Sequence, residues 1–387
     1  MTEFDVAVVG ASIGGCTAAR LFAQRGARVA LIEKRPDPEA YKTVCTHYIQ
    51  SSATPVIERL GLAEELDARG AIHNTVDMWT PYSGWIVPPD DDPYGYSVTR
   101  RVLDPLLRAR TAETPGVELL CGRTVTGIDG TRVTLRDGET IDARLVVGAD
   151  GRGSTVARLA GIRGRVKPHN RFFYWAYWRG VEPWTERSRM WLMEPDCAYT
   201  FPNEDGLTLI LVAPHKDRLP EFREDLEGAY MRMVGSLRDG PRLGNAARES
   251  KLLGKLELPN VLRPAARGNV ALVGDAALAS DPLWGVGCGW AFQSAAWLVD
   301  AVTQTDDLDA ALARYRRTHF RRLAPHHLMI SDLSTARKAN PLERLLYRAA
   351  ARDQHVVREM SKVGSRREPP TRIFRPRTLA RVVRAAA

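Results

Sequence analysis

Residues 4–33 read FDVAVVGASIGGCTAARLFAQRGARVALIE, and this stretch decides the fold. Val6, Ala7, Val8 and Val9 form a continuous apolar run, the pattern of a parallel strand buried on both faces. Gly10-Ala11-Ser12-Ile13-Gly14-Gly15 follows the G-x-G-x-x-G pattern with serine at the second glycine. In that pattern one glycine makes the turn, one lets the backbone approach a pyrophosphate, and one lets helix and strand pack closely. Ser12 is small enough to keep the backbone accessible, and its hydroxyl is itself a donor. A helix starting at residues 12–15 directs its unpaired N–H groups and positive dipole end toward a diphosphate. Ala18, Leu21 and Phe22 give it a face for the sheet, Gly26 ends it, and Val29-Ala30-Leu31-Ile32 reads as the next buried strand. Glu33 closes that strand, placed to accept hydrogen bonds from an adenosine ribose. The sequence therefore predicts a βαβ unit that holds a dinucleotide.

The chain has 387 residues, 44% of them apolar, which is room for two domains or one domain with a large insertion. No stretch approaches the length of a transmembrane helix and the N-terminus runs straight into a strand, so the expectation is a cytoplasmic protein without a signal peptide. The five cysteines, Cys16, Cys45, Cys121, Cys197 and Cys288, are odd in number and show no C-x-x-C spacing, which argues against a metal site, a disulfide framework or a dithiol motif. The net charge of +9 is uneven: residues 337–387 hold 14 Lys or Arg against 4 Asp or Glu, so they carry +10 and the rest sums to −1. No aromatic interleaving accompanies that charge, so we read it as solvated helix faces packed on the main body, with no nucleic-acid partner.

Further along, Arg100 to Thr111 reads as a helix, and Gly116 to Thr140 as hairpin-linked strands with a turn at Asp137-Gly138. Arg144 to Val147 returns to the buried-strand pattern and ends in Gly148-Ala149-Asp150-Gly151. Residues 166–262 change character, with Phe172 to Trp178 and Leu207 to Val212 strand-like in an antiparallel layer. Val270 to Val273 is another buried strand, followed by Gly274-Asp275-Ala276-Ala277 and by Asp281-Pro282-Leu283-Trp284-Gly285-Val286-Gly287-Cys288-Gly289. A helix is predicted from about Trp290 to Thr303, and helical pattern continues from Leu308 to about Val363.

The order and spacing of these three motifs resemble the class A, aromatic-hydroxylase-like FAD-dependent monooxygenases, with geranylgeranyl reductases and flavin-dependent halogenases as relatives. The resemblance implies an α/β fold: a Rossmann-like FAD-binding domain, an inserted antiparallel β-sheet substrate domain and a C-terminal helical segment. Residues 1–75, 98–165 and 265–325 would make the discontinuous FAD-binding domain, 76–97 and 166–264 the β-rich substrate domain, and 326–387 the basic helical segment. Carried over by position, Gly10, Ser12 and Gly15 would hold the FAD pyrophosphate, Glu33 the adenosine ribose and Asp275 the ribitol. Pro282, Gly285, Gly287 and Gly289 would lie at the flavin ring, Asp150 would support the flavin and a passing nicotinamide, and Arg100 would lie near the pyrophosphate. Two positions depart from the family: Leu278 replaces a common histidine and Val286 a common glutamine.

The resemblance also implies the chemistry: NAD(P)H reduces FAD, O2 adds at the flavin C4a, and the hydroperoxide passes one oxygen atom to an aromatic or polycyclic apolar substrate by hydroxylation or epoxidation, in specialised metabolism. With one dinucleotide loop, NAD(P)H would bind transiently. Candidate pocket residues are Trp175, Tyr177, Phe201 and Trp284, although alternation along 172–178 leaves open whether Phe173, Trp175 and Tyr177 or Phe172, Tyr174, Ala176 and Trp178 face the ligand. His47 and Asp281 are the candidate catalytic residues, as base or as groups that orient a substrate oxygen. Two other reactions stay open: saturation of prenyl double bonds, and, less favoured because the W-x-W-x-I-P motif is absent, halogenation.

Overall fold

The computed structural model of the protein describes residues 3–386. Its centre is the strand Phe4–Val9, which lies in a parallel sheet between Thr140–Gly148 on one side and Val29–Glu33 on the other. Val117–Cys121 extends the sheet beyond Val29–Glu33, and Val270–Leu272 extends it beyond Thr140–Gly148. Val8 sits in register with Leu31 and Val147, all three without solvent exposure, in a core that also takes in Leu21 and Phe22 of the first helix and Val125, Val133 and Leu135 of the strands that branch off this sheet. The helix Ile13–Ala23 packs on Gly287–Val302 and on Arg100–Ala112, so the first motif, the third motif and Arg100 share one layer. Of the hairpin-linked strands expected over Gly116 to Thr140, Val125–Asp129 and Arg132–Leu135 pair as a hairpin and the chain turns at Gly138, whose φ of +90° suits glycine, into Thr140–Gly148, whereas Val117–Cys121 joins the parallel sheet instead.

The second large sheet runs in the order Ala247–Arg248, Phe173–Arg179, Leu207–Ala213, Cys197–Pro202, Ser188–Leu192, Val76–Thr80, Gly84–Ile86, with Leu253–Lys255 also on Phe173–Arg179. It is antiparallel except where Ser188–Leu192 meets Val76–Thr80 in parallel. Alternation resolves the two open sets of side chains. Phe172, Ala176 and Trp178 pack beneath the helices Leu219–Glu224 and Leu226–Gly235, whereas Phe173, Trp175 and Tyr177 share the opposite core with Tyr48 and Leu283.

Three details differ from expectation. Gly95–Ser97 leaves the stretch 76–97 to pair with Tyr48–Ile49 and Ile72–Asn74 in a small sheet; Gly95 permits this, since a Cβ there would lie 2.0 Å from the Ile49 carbonyl oxygen. The β-rich segment carries the two covering helices, which bury Phe222, Tyr230 and Met233. No break falls at residue 325: one helix, Leu308–Leu333, runs through Pro325 and joins the regions separated there. The C-terminal helices Pro341–Ala350, Gln354–Gly364 and Pro376–Ala386 pack on one another and bury Tyr347, Val357 and Val382 with the Trp175 face of the second sheet.

Candidate active site

The glycine loop has no spare room. Gly10 sits at φ +103°, and a Cβ on Gly15 would lie 1.7 Å from the Gly10 carbonyl oxygen, so helix and strand meet at backbone distance. Ser12 precedes the helix Ile13–Ala23 without capping it; its hydroxyl instead accepts from Arg100 Nη2 at 2.6 Å. The helix N–H groups at this end are left for another partner. Glu33 is buried, and its carboxylate accepts from the amides of Ala11 (2.9 Å) and Arg35 (3.0 Å), which ties the strand end to the glycine loop.

Two neighbouring ion pairs lie here. Arg100, buried, pairs with Asp104 at 2.6 Å, and the Lys42 ammonium lies 3.2 Å from Asp275. Burial alone would push the Asp275 carboxyl up, but Lys42, Arg152 and Arg100 together hold it below its ordinary value, and Asp275 raises Lys42 in turn. Asp150 accepts from the Ser154 hydroxyl at 2.5 Å and the Val156 amide at 3.0 Å, so it caps the short helix Thr155–Leu159.

The third motif forms a turn and a helix start. Asp281, with no solvent exposure, accepts from the Leu283 amide at 2.8 Å and caps the turn Pro282–Trp284; burial raises its pKa against the opposing charge of Arg171. Gly285 has φ +61°, and its Cα faces the Tyr48 ring so closely that a Cβ would lie 3.0 Å away. Gly287 and Gly289 open the helix Gly287–Val302 with free N–H groups. The family departures have a packing reason: Leu278 and Val286 bury with Trp290, Leu323 and Ile330, so apolar side chains replace polar ones where the long helix Leu308–Leu333 backs the turn.

His47 is buried at φ +67°, a strained position for a residue with a Cβ. Its Nδ1 accepts from the Arg100 amide at 3.0 Å, so in the neutral ring Nε2 carries the proton, and Nε2 meets the Tyr177 hydroxyl. Cys45, two residues away, lies 3.6 Å sulfur to sulfur from Cys288. Hydrogen bonds from Cys288 and His47 and the charge of Arg100 hold the Cys45 thiol well below its ordinary range, against burial.

Beside the turn lies a cavity of about 380 Å³. Leu283, Trp284 and Gly285 of the turn form one side, with Tyr48, Gln50 and Ser51. Met78, Ile86, Met190, Tyr199 and Phe201 of the second sheet form its floor, and Leu346, Tyr347, Val357, Met360 and Phe374 of the C-terminal helices close it. Of the four candidate pocket residues, Phe201 and Trp284 line this space. Trp175 and Tyr177 share the face but are not on its wall, and neither are His47 and Asp281. Cys45 stands beside His47 as a local candidate in the sequence, but its approach to Cys288, the ion pair of Lys42 and the C-terminal wall escape sequence reading, because each is defined by contacts between distant segments.

A family model for an FAD binding domain matches residues 3–223, more than half of the chain. The chain belongs to the FAD-binding family of class A flavoprotein monooxygenases. It is an FAD-dependent oxidoreductase. Among curated proteins, kynurenine 3-monooxygenase of Salinispora arenicola is 28% identical over 371 residues, covering 86% of this chain and 78% of that protein. A digeranylgeranylglycerophospholipid reductase of Methanothrix thermoacetophila is 27% identical and covers 90% of this chain and 92% of its own length. Among solved structures, Pseudomonas aeruginosa PqsL in complex with 2-aminobenzoylacetate superposes with a TM-score of 0.70 at 22% identity, over 86% of this chain and 98% of that one, a likeness of fold.

The cradle suits FAD in its chemistry. Helix N–H groups without partners and the cations Lys42 and Arg100 suit a diphosphate, and a backbone that tolerates no Cβ at Gly15 suits close approach. Arg100 and Ser12, bonded to each other, offer a guanidinium and a hydroxyl at the helix start.

Proposed function

We propose that this protein is a monooxygenase that uses NAD(P)H and O2 to hydroxylate or epoxidise an aromatic or polycyclic apolar small molecule, in the cytoplasm and in specialised metabolism. One observation carries the reading: the large, predominantly apolar cavity abuts the glycine turn at which the family holds its flavin. In the overall reaction one oxygen atom of O2 enters the product, and the other leaves as water with the two electrons of NAD(P)H. FAD supplies the redox and oxygen chemistry when bound.

The chain's own residues do the rest. Gly10, Ser12, Gly15 and Arg100 hold the diphosphate, with Lys42 beside them, and Glu33 reaches the ribose while it braces Ala11. Asp275 takes the ribitol hydroxyls. Gly285, Gly287 and Gly289 present backbone N–H groups to the ring edge, shaped by Pro282, and Asp150 fixes the loop that supports the ring and the nicotinamide. Trp284 and Phe201 hold the substrate and, with the C-terminal helices, exclude water. Trp175 and Tyr177 back that wall. His47 acts through Tyr177 and Arg100 as a positioning residue, and Asp281 keeps the flavin turn in shape.

The test is purification with FAD, followed by NAD(P)H oxidation with a panel of aromatic and polycyclic compounds. Substrate-dependent O2 uptake and a product heavier by one oxygen atom are expected; NAD(P)H oxidation that yields only hydrogen peroxide with every compound would refute the reading. The end-to-end similarity to a digeranylgeranylglycerophospholipid reductase favours a second reading, saturation of prenyl double bonds. Loss of an alkene without O2 would select it.

A further inference from the structure

One wall of the apolar cavity is cationic. Arg366 follows the helix Gln354–Gly364 at φ +64°, its amide donating to the Val363 carbonyl at 3.1 Å while the Arg367 amide donates to Lys362 at 3.0 Å. This is the left-handed closing turn in which glycine is the usual residue, so a long charged side chain stands where none is favoured. Arg366 is 6% exposed and lines the cavity, with its guanidinium carbon 5.7 Å from the centre of the Trp284 ring.

Its hydrogen bonds are incomplete. Nη1 donates to the Val363 carbonyl at 2.7 Å, but Nε and Nη2 have no partner. Those two atoms form one edge of the guanidinium, the edge that grips a carboxylate with two parallel bonds. The two acids that line the same cavity are already paired: Asp92 with Arg367 at 2.8 Å, Glu343 with Arg337 at 2.7 Å. Burial pushes Arg366 down to about 9, which leaves it charged at neutral pH. A buried charge with free donors and no counter-ion is costly unless a ligand completes it. Gln50, Ser51 and Trp284 also line the cavity, and each has a buried polar atom (Oε1, Oγ, Nε1) without a protein partner just behind that wall.

We infer that Arg366 receives a carboxylate of the substrate, so that the compound oxidised is an aromatic or polycyclic acid gripped by the C-terminal segment and not by the cofactor frame. This rests on the reading of the cavity as the substrate site. The Nε–Nη2 edge is closed off from the open space in this conformation, so a turn of the side chain presents it to the carboxylate, and the ring system fills the apolar space between Trp284, Phe201 and Met190.

The experiment is isothermal titration of the FAD-loaded protein with 2-naphthoate and with its neutral analogue 2-naphthamide. The acid should bind at least ~10-fold more tightly than the amide. Arg366→Gln should lower affinity for the acid by ~10-fold or more and leave the amide within about threefold. If Arg366→Gln does not fold, Arg366→Lys, which keeps the charge and loses the two-pronged edge, decides by the same acid-to-amide ratio. A lower ratio supports the inference. Absent binding of 2-naphthoate, equal binding of the two probes, or an unchanged ratio in the variant overturns it. Calorimetry needs no turnover, so an Arg366-dependent acid preference in a protein that never oxygenates a substrate keeps the anion site and sinks the monooxygenase, while oxygenation without that preference does the reverse.

Discussion

Acid should strip the flavin turn of its backing. The helix Leu308–Leu333 buries His319, His326 and His327, each about 2% exposed. His327 bonds Ser280 at 2.8 Å, while His319 Nε2 and His326 Nδ1 have no protein partner. Burial, aided by the charge of His327 for His319, of Arg366 for His326 and of Lys167 and Arg152 for His327, pushes the three down to about 4, 3 and 4 from an ordinary 6.5. The folded state thus keeps them neutral at a pH where the unfolded chain protonates them, so stability is complete above pH 6.5 and falls as pH drops toward 4. At about 1.4 kcal/mol per pH unit per histidine, acidification to about pH 5 removes about 2 kcal/mol each, about 6 kcal/mol in all. That is a large share of the 5–15 kcal/mol typical of a folded domain. Urea unfolding followed by circular dichroism at pH 7.5 and pH 5 should show this loss. The double variant His319→Gln/His327→Gln should lose only about 2 kcal/mol over the same interval, whatever its stability at pH 7.5. Equal losses in variant and parent would refute the assignment of this acid sensitivity to the long helix.

Gly15→Ala should yield a protein without flavin absorbance, because its Cβ would sit 1.7 Å from the Gly10 carbonyl oxygen; a yellow variant with normal FAD affinity contradicts the close-packing argument. Lys42→Met should weaken FAD binding by about tenfold, about 1.4 kcal/mol, in a fluorescence titration, since it removes a cation and leaves Asp275 with one partner fewer. At neutral pH iodoacetamide should alkylate Cys45 before Cys121, because Cys288, His47 and Arg100 favour the Cys45 thiolate whereas burial raises Cys121; mass spectrometry of early time points checks the order, and equal rates would exclude it.

What could be read in advance was local. Val6 to Gly15, Val29 to Glu33 and Val270 to Asp275 carry burial, turn and acid within a few residues, so their strands and the first helix are legible. Pattern alone could not foresee the parallel pairing of Val76–Thr80 with Ser188–Leu192, since alternation sets which side a residue faces and not which strand lies beside it. Lys42 lies in none of the motifs, and only the fold sets it against Asp275, 233 positions on. The same holds for the C-terminal segment: its excess of arginine suggested solvated faces, and several do face solvent, but Leu346, Tyr347 and Met360 look inward to the cavity. Asp281 was conspicuous as an acid beside a proline-glycine turn, and its carboxylate is occupied in holding that turn.

The pairing of Val146 with Val270 has a consequence for the order in which the molecule is built during synthesis. The nascent chain can join Phe4–Val9 to Val29–Glu33 early, but the last parallel strand of that sheet emerges only after every strand of the second sheet has left the ribosome. The cavity closes later still, when residues 341–374 arrive. The first sheet and the cavity are therefore completed in succession, and the apolar floor around Met190, Tyr199 and Phe201 stays open to solvent or chaperones until residues 341–374 have been made.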